Sequence, residues 1–582
     1  MMERSLSGIG ASQGVAIGPA RLIAERVLVV KPRTIPLKNI PAELERFARA
    51  IEQTAVAIKK IQLKANKLTA THQAEIFEVH LSLLQDPMLV DRTREYIRTQ
   101  RINADYALLQ ALQEYQKLFN ELGDETLQDR LVDVKDVGKR LIEFIQGYKR
   151  TNPFKFQTPG ILLAHNLTPS DTIHLDRNKV LGVATELGGI GSHTAILTRA
   201  LGIPAVVGVP RLLASCSENE TIIVNGASGE VVLRPKQKTI HRYTLKQQAI
   251  ARFEHSLRPL VDLPAQTRDG KRIHLLCNIE LPEEAADVKA IGADGIGLFR
   301  TEYLFLSKNK LPSEMTQATE YLKAAKTLKP LPVTFRTFDL GGDKLPADLV
   351  VEREDNPFLG YRAIRVSLDK PRLFKAQLHA ILRASIHGNV RLMFPMISTL
   401  QELLEAKELL EEAREELRKK KIPFDEQMPV GMMVETPAAV MLSDELARHV
   451  DFFSIGTNDL TQYALAADRG NLQVSHIYNQ LDPSVLRLIA LTVKNGHAAG
   501  IPVGLCGNLA SDPLATILLI GLEVDDLSMA PSILPEIKNI IRSISWRGLR
   551  ALGRQALRLN SYEEVRHFAA QLLEQWVEEI PY

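Results

Sequence analysis

From about Thr267 onward the sequence keeps one beat: a short apolar run ending in polar or charged residues, then a longer stretch of helical texture. The runs are RIHLLCN, ADGIGLFRTE, PVTFRTFDLGG, VRLMFPM, PVGMMVETP, DFFSIGTNDL, IPVGLCGN and VDDLSMAP. Apolar runs of this length are strands buried on both faces, and parallel strands with helical crossovers satisfy that requirement. Eight such units over roughly 300 residues predict a (β/α)8 TIM barrel with insertions, whose reacting groups stand at the C-terminal strand ends. The residues there are Asn278, Arg300, Thr301, Glu302, Arg336, Asp339, Glu435, Asn458, Asp459, Cys506, Asn508 and Ser528.

The first half of the chain reads differently. Residues 5–30 are short β segments around glycine turns, too few to bury a core alone, so they must pair elsewhere. From about Leu37 to Gly147 the apolar residues Leu44, Phe47, Ile51 and Ile58, and later Ile76, Phe77, Leu81, Leu84 and Met88, follow helical spacing. That stretch is an all-helical domain, either a packing unit or a surface for docking a partner. After the proline-containing segment 151–160, β-rich runs surround one helix, SHTAILTRALG, in a small α/β unit. The orphan N-terminal strands belong with it, which makes the helical domain an insertion. The expected boundaries are 1–32 and 147–233 for the α/β domain, 33–146 for the helical insertion, 234–265 for a linker helix and 266–582 for the barrel.

Charge and cysteine usage narrow the function. Lys and Arg number 72 against 69 Asp and Glu, a net charge of +3 that argues against nucleic acid as the main partner. Three scattered cysteines, Cys216, Cys277 and Cys506, form neither a disulfide framework nor a zinc module. No apolar run is long enough to insert in a membrane, and MMERSLSGIGASQG lacks the core of a secretory signal. The expectation is a cytoplasmic protein.

At the strand ends, Arg300, Arg336 and Arg469, with Arg362 and Lys344, suit an anionic ligand, because guanidinium forks match phosphate and carboxylate. Glu435 follows the run VGMMV, and Asp459 follows FFSIGTN. They are either structural partners of the arginines or hard oxygen ligands for Mg2+. Cys506, ending VGLC, is either a small hydrophobe or a proton donor at the barrel mouth. A second centre is GGIGSHTAILTRALG, where Ser192 and His193 open a helix behind three glycines. A helix N-terminus favours negative charge, so a phosphoryl group on the His193 ring would be stabilised there. A capping or packing histidine is the other reading. The run EEAREELRKKK at 411–421 reads as a solvated helix face.

The motifs GGIGSHTAILTRALGIPAVVG, GIGLFRTEYLF, FRTFDLGGDK, NPFLGYRAIR, VETPAA, DFFSIGTNDLTQYALAADRGN and GLCGNLA together resemble the Enzyme I family of the bacterial sugar phosphotransferase system. Those proteins are phosphoenolpyruvate–protein phosphotransferases, and the resemblance spans essentially the whole chain. It implies a swivelling phosphohistidine α/β domain with an inserted helical domain, followed by a TIM barrel. It implies that His193 takes a phosphoryl group from phosphoenolpyruvate, releasing pyruvate, and passes it to a histidine of the carrier protein HPr, the first step of sugar uptake. By the same resemblance Thr172 supports the histidine. Arg300, Arg336, Arg362, Asn458, Asp459 and Arg469 bind substrate, with Lys344 in support. Glu435 and Asp459 hold Mg2+, and Cys506 protonates the enolate. The helical insertion would dock HPr, and the barrel would form a homodimer. Two departures stand out: Ile190 and Gly191 where the family has a GGxTSH pattern, and Asn508 where it has Glu. They leave open a catalytically divergent, regulatory relative that binds HPr-like partners.

Overall fold

The computed structural model describes residues 3–23, 30–68, 80–122, 125–148, 158–167, 175–176, 178–189, 192–306, 311–341, 354, 356–469, 471, 473–474 and 476–577. Thr172, Lys344, Ile190 and Gly191 lie outside them, as does the side chain of His193. The chain divides into two compact units, Met1–Arg252 and Phe253–Ile580.

In the first unit the N-terminal strands do pair elsewhere. Strand β1 (Arg4–Ser7) runs antiparallel to β8 (Glu230–Leu233), and β2 (Ile9–Ser12) antiparallel to β6 (Ala205–Val207). Strand β3 (Val15–Ile23) lies between β7 (Thr221–Asn225), antiparallel, and β4 (Gly160–Ala164), parallel; β5 (Val180–Thr185) joins β4 to β6. The eight strands form one sheet in the order β1-β8-β7-β3-β4-β5-β6-β2. Ile161, Val206, Ile222 and Val224 bury its core. The segment between β3 and β4 carries helices Ile40–Leu68, Pro87–Thr99, Ala104–Leu122 and Glu125–Ile145. These close on their own core of Phe47, Ile58, Leu89, Leu108 and Leu141. Asp86 caps the second of them, its side chain accepting from the Met88 amide at 2.8 Å, while Pro87 takes the first turn, where no amide donor is needed.

The stretch expected to be a linker helix is more than a connection. Helix Gln237–Leu257 lays Tyr243 and Ile250 against Val15, Ile223 and Val232 of the sheet. Its polar composition concealed an apolar stripe at positions seven residues apart, two helical turns.

The second unit is a closed barrel of eight parallel strands: β9 (His274–Ile279), β10 (Ile296–Phe299), β11 (Val333–Arg336), β12 (Val390–Phe394), β13 (Val430–Val434), β14 (Phe453–Ile455), β15 (Val503–Leu505) and β16 (Asp526–Met529). Seven lie within runs read from the sequence, and β9 runs one residue past the end of RIHLLCN. Alternation sends Leu275, Cys277, Phe335, Leu392, Met432, Ile455, Val503 and Leu527 outward to the helices, where they are buried. The opposite parity, including Thr334, Arg336, Arg391, Met433, Ser454, Cys506, Asp526 and Ser528, lines the interior. The charged run near residue 415 sits on helix Leu400–Lys419, which buries only Leu403, Ala406, Leu410, Ala413 and Leu417.

One buried polar set fixes the loop after β11. Gln377 accepts from the Phe338 amide at 3.0 Å and donates to Thr301 Oγ1 at 3.0 Å and Tyr321 Oη at 3.1 Å. Thr301 Oγ1 in turn donates to the Arg336 carbonyl at 2.9 Å. Gln377→Leu strips the Phe338 amide of its partner in a dry interior, so the barrel should lose about 1–3 kcal/mol. Urea unfolding followed by barrel-specific fluorescence checks this; an unchanged midpoint would show that the set is dispensable.

Candidate functional site

Arg336 closes β11 and is buried, so its charge must be met within the protein. Its Nη2 donates to Glu302 Oε1 at 3.0 Å and its Nη1 lies 3.1 Å from Asp339 Oδ2. Burial opposes the charge, but Glu302, Asp339 and Glu435 outweigh it and keep the guanidinium firmly protonated. Among the described residues its buried Nε has no hydrogen-bond partner. Arg362 reaches the same carboxylate from a later loop: Nη2 donates to Asp339 Oδ1 and Oδ2 at 3.0 and 2.9 Å. Its Nη1 also donates to Asp459 Oδ1 at 3.2 Å and to Tyr463 Oη at 3.2 Å. Asp339 therefore holds two guanidinium groups beside one another.

Glu435 stands just beyond β13 and is 1% exposed. Its Oε1 accepts the Met396 amide at 2.6 Å. The carboxylate fits only because residue 456 is glycine: a Cβ there would lie 2.8 Å from Glu435 Oε2. Burial pushes the Glu435 carboxyl well above the usual range, and the charges of Asp459 and Asp339 push it further. Among the described residues, the carboxylates of Glu302, Asp339, Glu435 and Asp459 gather around Arg336 and Arg362.

Among the described residues no cage of three or more His, Cys, Asp or Glu side chains is assembled. Mg2+ does not require one, since it keeps several waters and binds through one or two carboxylates plus substrate oxygens. Two neighbouring carboxyls, Glu435 and Asp459, the first raised by burial and then by the charges of Asp459 and Asp339, are a donor set that fits a divalent cation.

The rest of the mouth is polar and cross-linked. Asn458 Oδ1 accepts the Asn508 amide at 2.9 Å and Gln480 Nε2 at 3.2 Å. Its side-chain nitrogen donates to Asn508 Oδ1 at 3.4 Å. Asn508, the departure from the family pattern, thus ties the loop after β15 to Asn458. Tyr478 Oη donates to the Asn458 carbonyl at 3.0 Å and contacts Arg469. Arg469 is exposed and stands beyond helix Thr457–Leu465, not at a strand end. Arg300 is half-exposed and donates to Glu280 Oε1 at 3.0 Å. Cys506 is buried below the mouth, 3.7 Å from the Ile455 carbonyl, and its own carbonyl accepts from Asn278 Nδ2 at 2.9 Å. Burial pushes its thiol up to about 11, so it stays protonated at neutral pH.

The barrel mouth therefore gathers Arg336, Arg362, Glu435, Asn458, Asp459 and Cys506, with Arg300 and Arg469 toward its rim. Tyr463, Gln480 and the Met396 amide were not picked out from the sequence. Tyr463 follows Asp459 at helical i, i+4 spacing, which was a usable signal; the other two carry none. In the first unit, Ser192 caps helix His193–Ala200, its Oγ accepting the Ala195 amide at 3.3 Å. Gly188, ahead of it, sits at φ +117°, a conformation that side chains disfavour.

Residues 254–546 match the family model described as the PEP-binding domain of PEP-utilising enzymes. Residues 156–229 match their mobile domain and 7–130 their N-terminal domain. The chain is 39% identical over 569 residues to phosphoenolpyruvate-protein phosphotransferase of Bacillus subtilis, covering 98% of this chain and 99% of that one. Its counterpart from Haemophilus influenzae is 38% identical over 568 residues, with the same coverage of both chains. That of Buchnera aphidicola is 37% identical over 562 residues, 97% of this chain and 98% of the other.

All three cysteines are buried, and burial raises each thiol, Cys216 and Cys277 to about 12. At pH 7.5 the native protein should show no fast reaction with Ellman's reagent, and three thiols on unfolding. An unfolded thiol titrates near pH ~8.5. The thiols' contribution to stability is thus complete below that pH and is lost as pH rises toward 11 and beyond. One rapidly titrating thiol in the native protein at pH 7.5 would contradict the placement of these groups.

Proposed function

The chain belongs to the phosphoenolpyruvate–protein phosphotransferase family of PEP-utilising enzymes, and on that premise we propose a role for each group at the two centres. The observation that carries the reading is the set of two guanidinium groups held on Asp339 beside Glu435, Asp459 and a buried thiol.

Phosphoenolpyruvate binds at the barrel mouth, its phosphate and carboxylate on Arg336 and Arg362, with Arg300, Arg469 and Asn458 completing the contacts. Because Glu302 and Asp339 already hold the buried arginines in place, substrate meets a preorganised field. Glu435 and Asp459 would hold Mg2+, which would supply positive charge to offset the negative charge of the phosphate. A ring nitrogen of His193 attacks phosphorus, and the bond from phosphorus to the enol oxygen breaks. The electron pair left on the substrate is an enolate, neutralised in part by the arginines. Cys506 Sγ–H gives its proton to the methylene carbon, the C–H bond forms, and pyruvate leaves.

The phosphoryl group on His193 sits at a helix N-terminus, where amide donors and the helix dipole favour negative charge. It passes next to a histidine of an HPr-type carrier, with the helices between β3 and β4 as the docking surface. Since one histidine serves two partners, the α/β domain moves between them, and that movement contributes to the turnover rate. Thr172 and Lys344 keep their supporting roles in this reading, the enzyme works in the cytoplasm, and the barrel forms the homodimer. Among the described residues no helix is long and apolar enough to cross a membrane.

Incubation with phosphorus-labelled phosphoenolpyruvate and Mg2+, without ATP, should give an acid-labile, base-stable phosphoprotein and one equivalent of pyruvate. His193→Ala should abolish the label, and HPr should remove it from the wild type. No label would defeat the reading; label that HPr does not remove would point to another acceptor and favour the divergent relative. Cys506→Ala should slow pyruvate release by about 10²–10⁴-fold, the usual worth of a positioned general acid. Rapid-quench analysis checks it, and an unchanged rate would remove the thiol from the mechanism.

A further inference from the structure

The interior of the barrel below the mouth is polar in a way that substrate binding does not use. Inward-facing Thr334, Ser454 and Ser528 are buried beneath the mouth, with Arg391 and Asp526 on the next level down. Together with Gly297 and Gly504 they line a cavity of about 20 Å³. A single water needs about 10–15 Å³ and two or more polar partners, and this cavity offers both. A barrel interior is normally filled by branched apolar side chains, so hydroxyls here require a reason.

Gly504 and Leu505, which line the cavity, immediately precede Cys506 in the chain. Ser454 and Cys506 face inward from neighbouring strands: Ser454 pairs with Gly504, two residues before Cys506, and Cys506 Sγ lies 3.7 Å from the carbonyl of the next residue, Ile455. Ser528 Oγ donates to Asn278 Oδ1 at 2.6 Å, and Asn278 Nδ2 donates to the Cys506 carbonyl at 2.9 Å. With its proton committed to Asn278, Ser528 faces the cavity as an acceptor. At the lower end, Asp526 pairs in the strand ladder with exposed His274 on one side and Gly504 on the other. Its carboxyl is raised, chiefly by burial, with Asp525 and Asp294 adding to that and His274 and Arg391 opposing it. Above Cys506 the mouth is filled by substrate during turnover, and around it Leu298, Met393, Met433 and Phe452 form an apolar collar.

We propose that this interior is a proton relay that re-arms Cys506 from the floor of the barrel: Asp526, a water in the cavity and the Ser454 hydroxyl return to the thiolate the proton it gave to the enolate. The inference rests on the assignment of Cys506 as proton donor. The balance is simple. When the methylene carbon takes the proton, the S–H bond breaks and its electron pair stays on sulfur. The Ser454 O–H then breaks toward sulfur while its oxygen takes a proton from the cavity water. That water is replenished through Asp526 from solvent at the floor, and hydroxide is left in bulk water. Ser454 and Asp526 are relay residues; neither touches substrate.

The test separates the first turnover from later ones, because the resting thiol already carries its proton. With Ser454→Ala, rapid-quench measurement on full-length protein with phosphoenolpyruvate, Mg2+ and excess HPr should show a first equivalent of pyruvate formed within about twofold of the wild-type rate. Steady-state turnover should then fall at least about tenfold, as when a positioned proton-transfer group is lost, with an enlarged solvent deuterium isotope effect. Asp526→Asn should show the same split, and Ser454→Thr, which keeps the hydroxyl, should restore turnover. If both variants keep wild-type steady-state rates, the proton returns through the mouth and the relay is wrong. If first and later turnovers slow equally, Ser454 serves only to place the thiol, and the relay is again wrong. Loss of the first turnover in Cys506→Ala belongs to the assignment of the donor, so the two readings fail separately.

Discussion

Asp339 is the joint on which the mouth of the barrel depends. It lies three residues beyond Arg336 and bonds both that side chain and Arg362. Two guanidinium groups do not approach each other in a buried site without a carboxylate between them, and removing one partner of such a set commonly costs 3–5 kcal/mol. The arrangement is expensive as a contribution to stability. Its return is positional: both forks are fixed before an anion arrives, and the Gln377 set behind Phe338 and Thr301 holds the loop that bears the joint.

The proposed cation bears on the same arrangement. Burial, and after it the charges of Asp459 and Asp339, shifts the Glu435 carboxyl upward. In the proposed reading a divalent ion on Glu435 and Asp459 would favour the charged form of the Glu435 carboxyl. The thiol below has the opposite requirement. Cys506 must hold a proton at neutral pH, and an apolar collar with few charges of its own keeps it protonated.

Much of this was legible in the sequence because barrel strands announce themselves twice, as apolar runs and as polar residues at their ends. All eight strands and the pairing of the N-terminal segment with the distant sheet followed from that texture. Of the candidate residues, Arg336, Arg362, Glu435, Asn458, Asp459 and Cys506 come together at the mouth, whereas Arg469 stands exposed past a helix and reaches the others through Tyr478. What the sequence concealed was tertiary. Tyr243 and Ile250 pack the supposed linker helix on the sheet, though its other faces are polar. Gln377 is one glutamine among many until two strand ends close on it. The polar interior level, Thr334, Ser454, Asp526 and Ser528, is visible only once strand parity is fixed, because each residue alone reads as an ordinary strand position.

In the proposed reading, phosphoenolpyruvate sits on the arginines held by Asp339. The most direct measurement is calorimetric titration of phosphoenolpyruvate with Mg2+ into the His193→Ala protein, which cannot turn over, and into the same protein carrying Arg336→Met. Loss of a buried charge partner is worth about 2–5 kcal/mol, so binding should weaken at least about thirtyfold in the second protein while its thermal unfolding remains cooperative. Equal affinity in the two proteins would contradict the account.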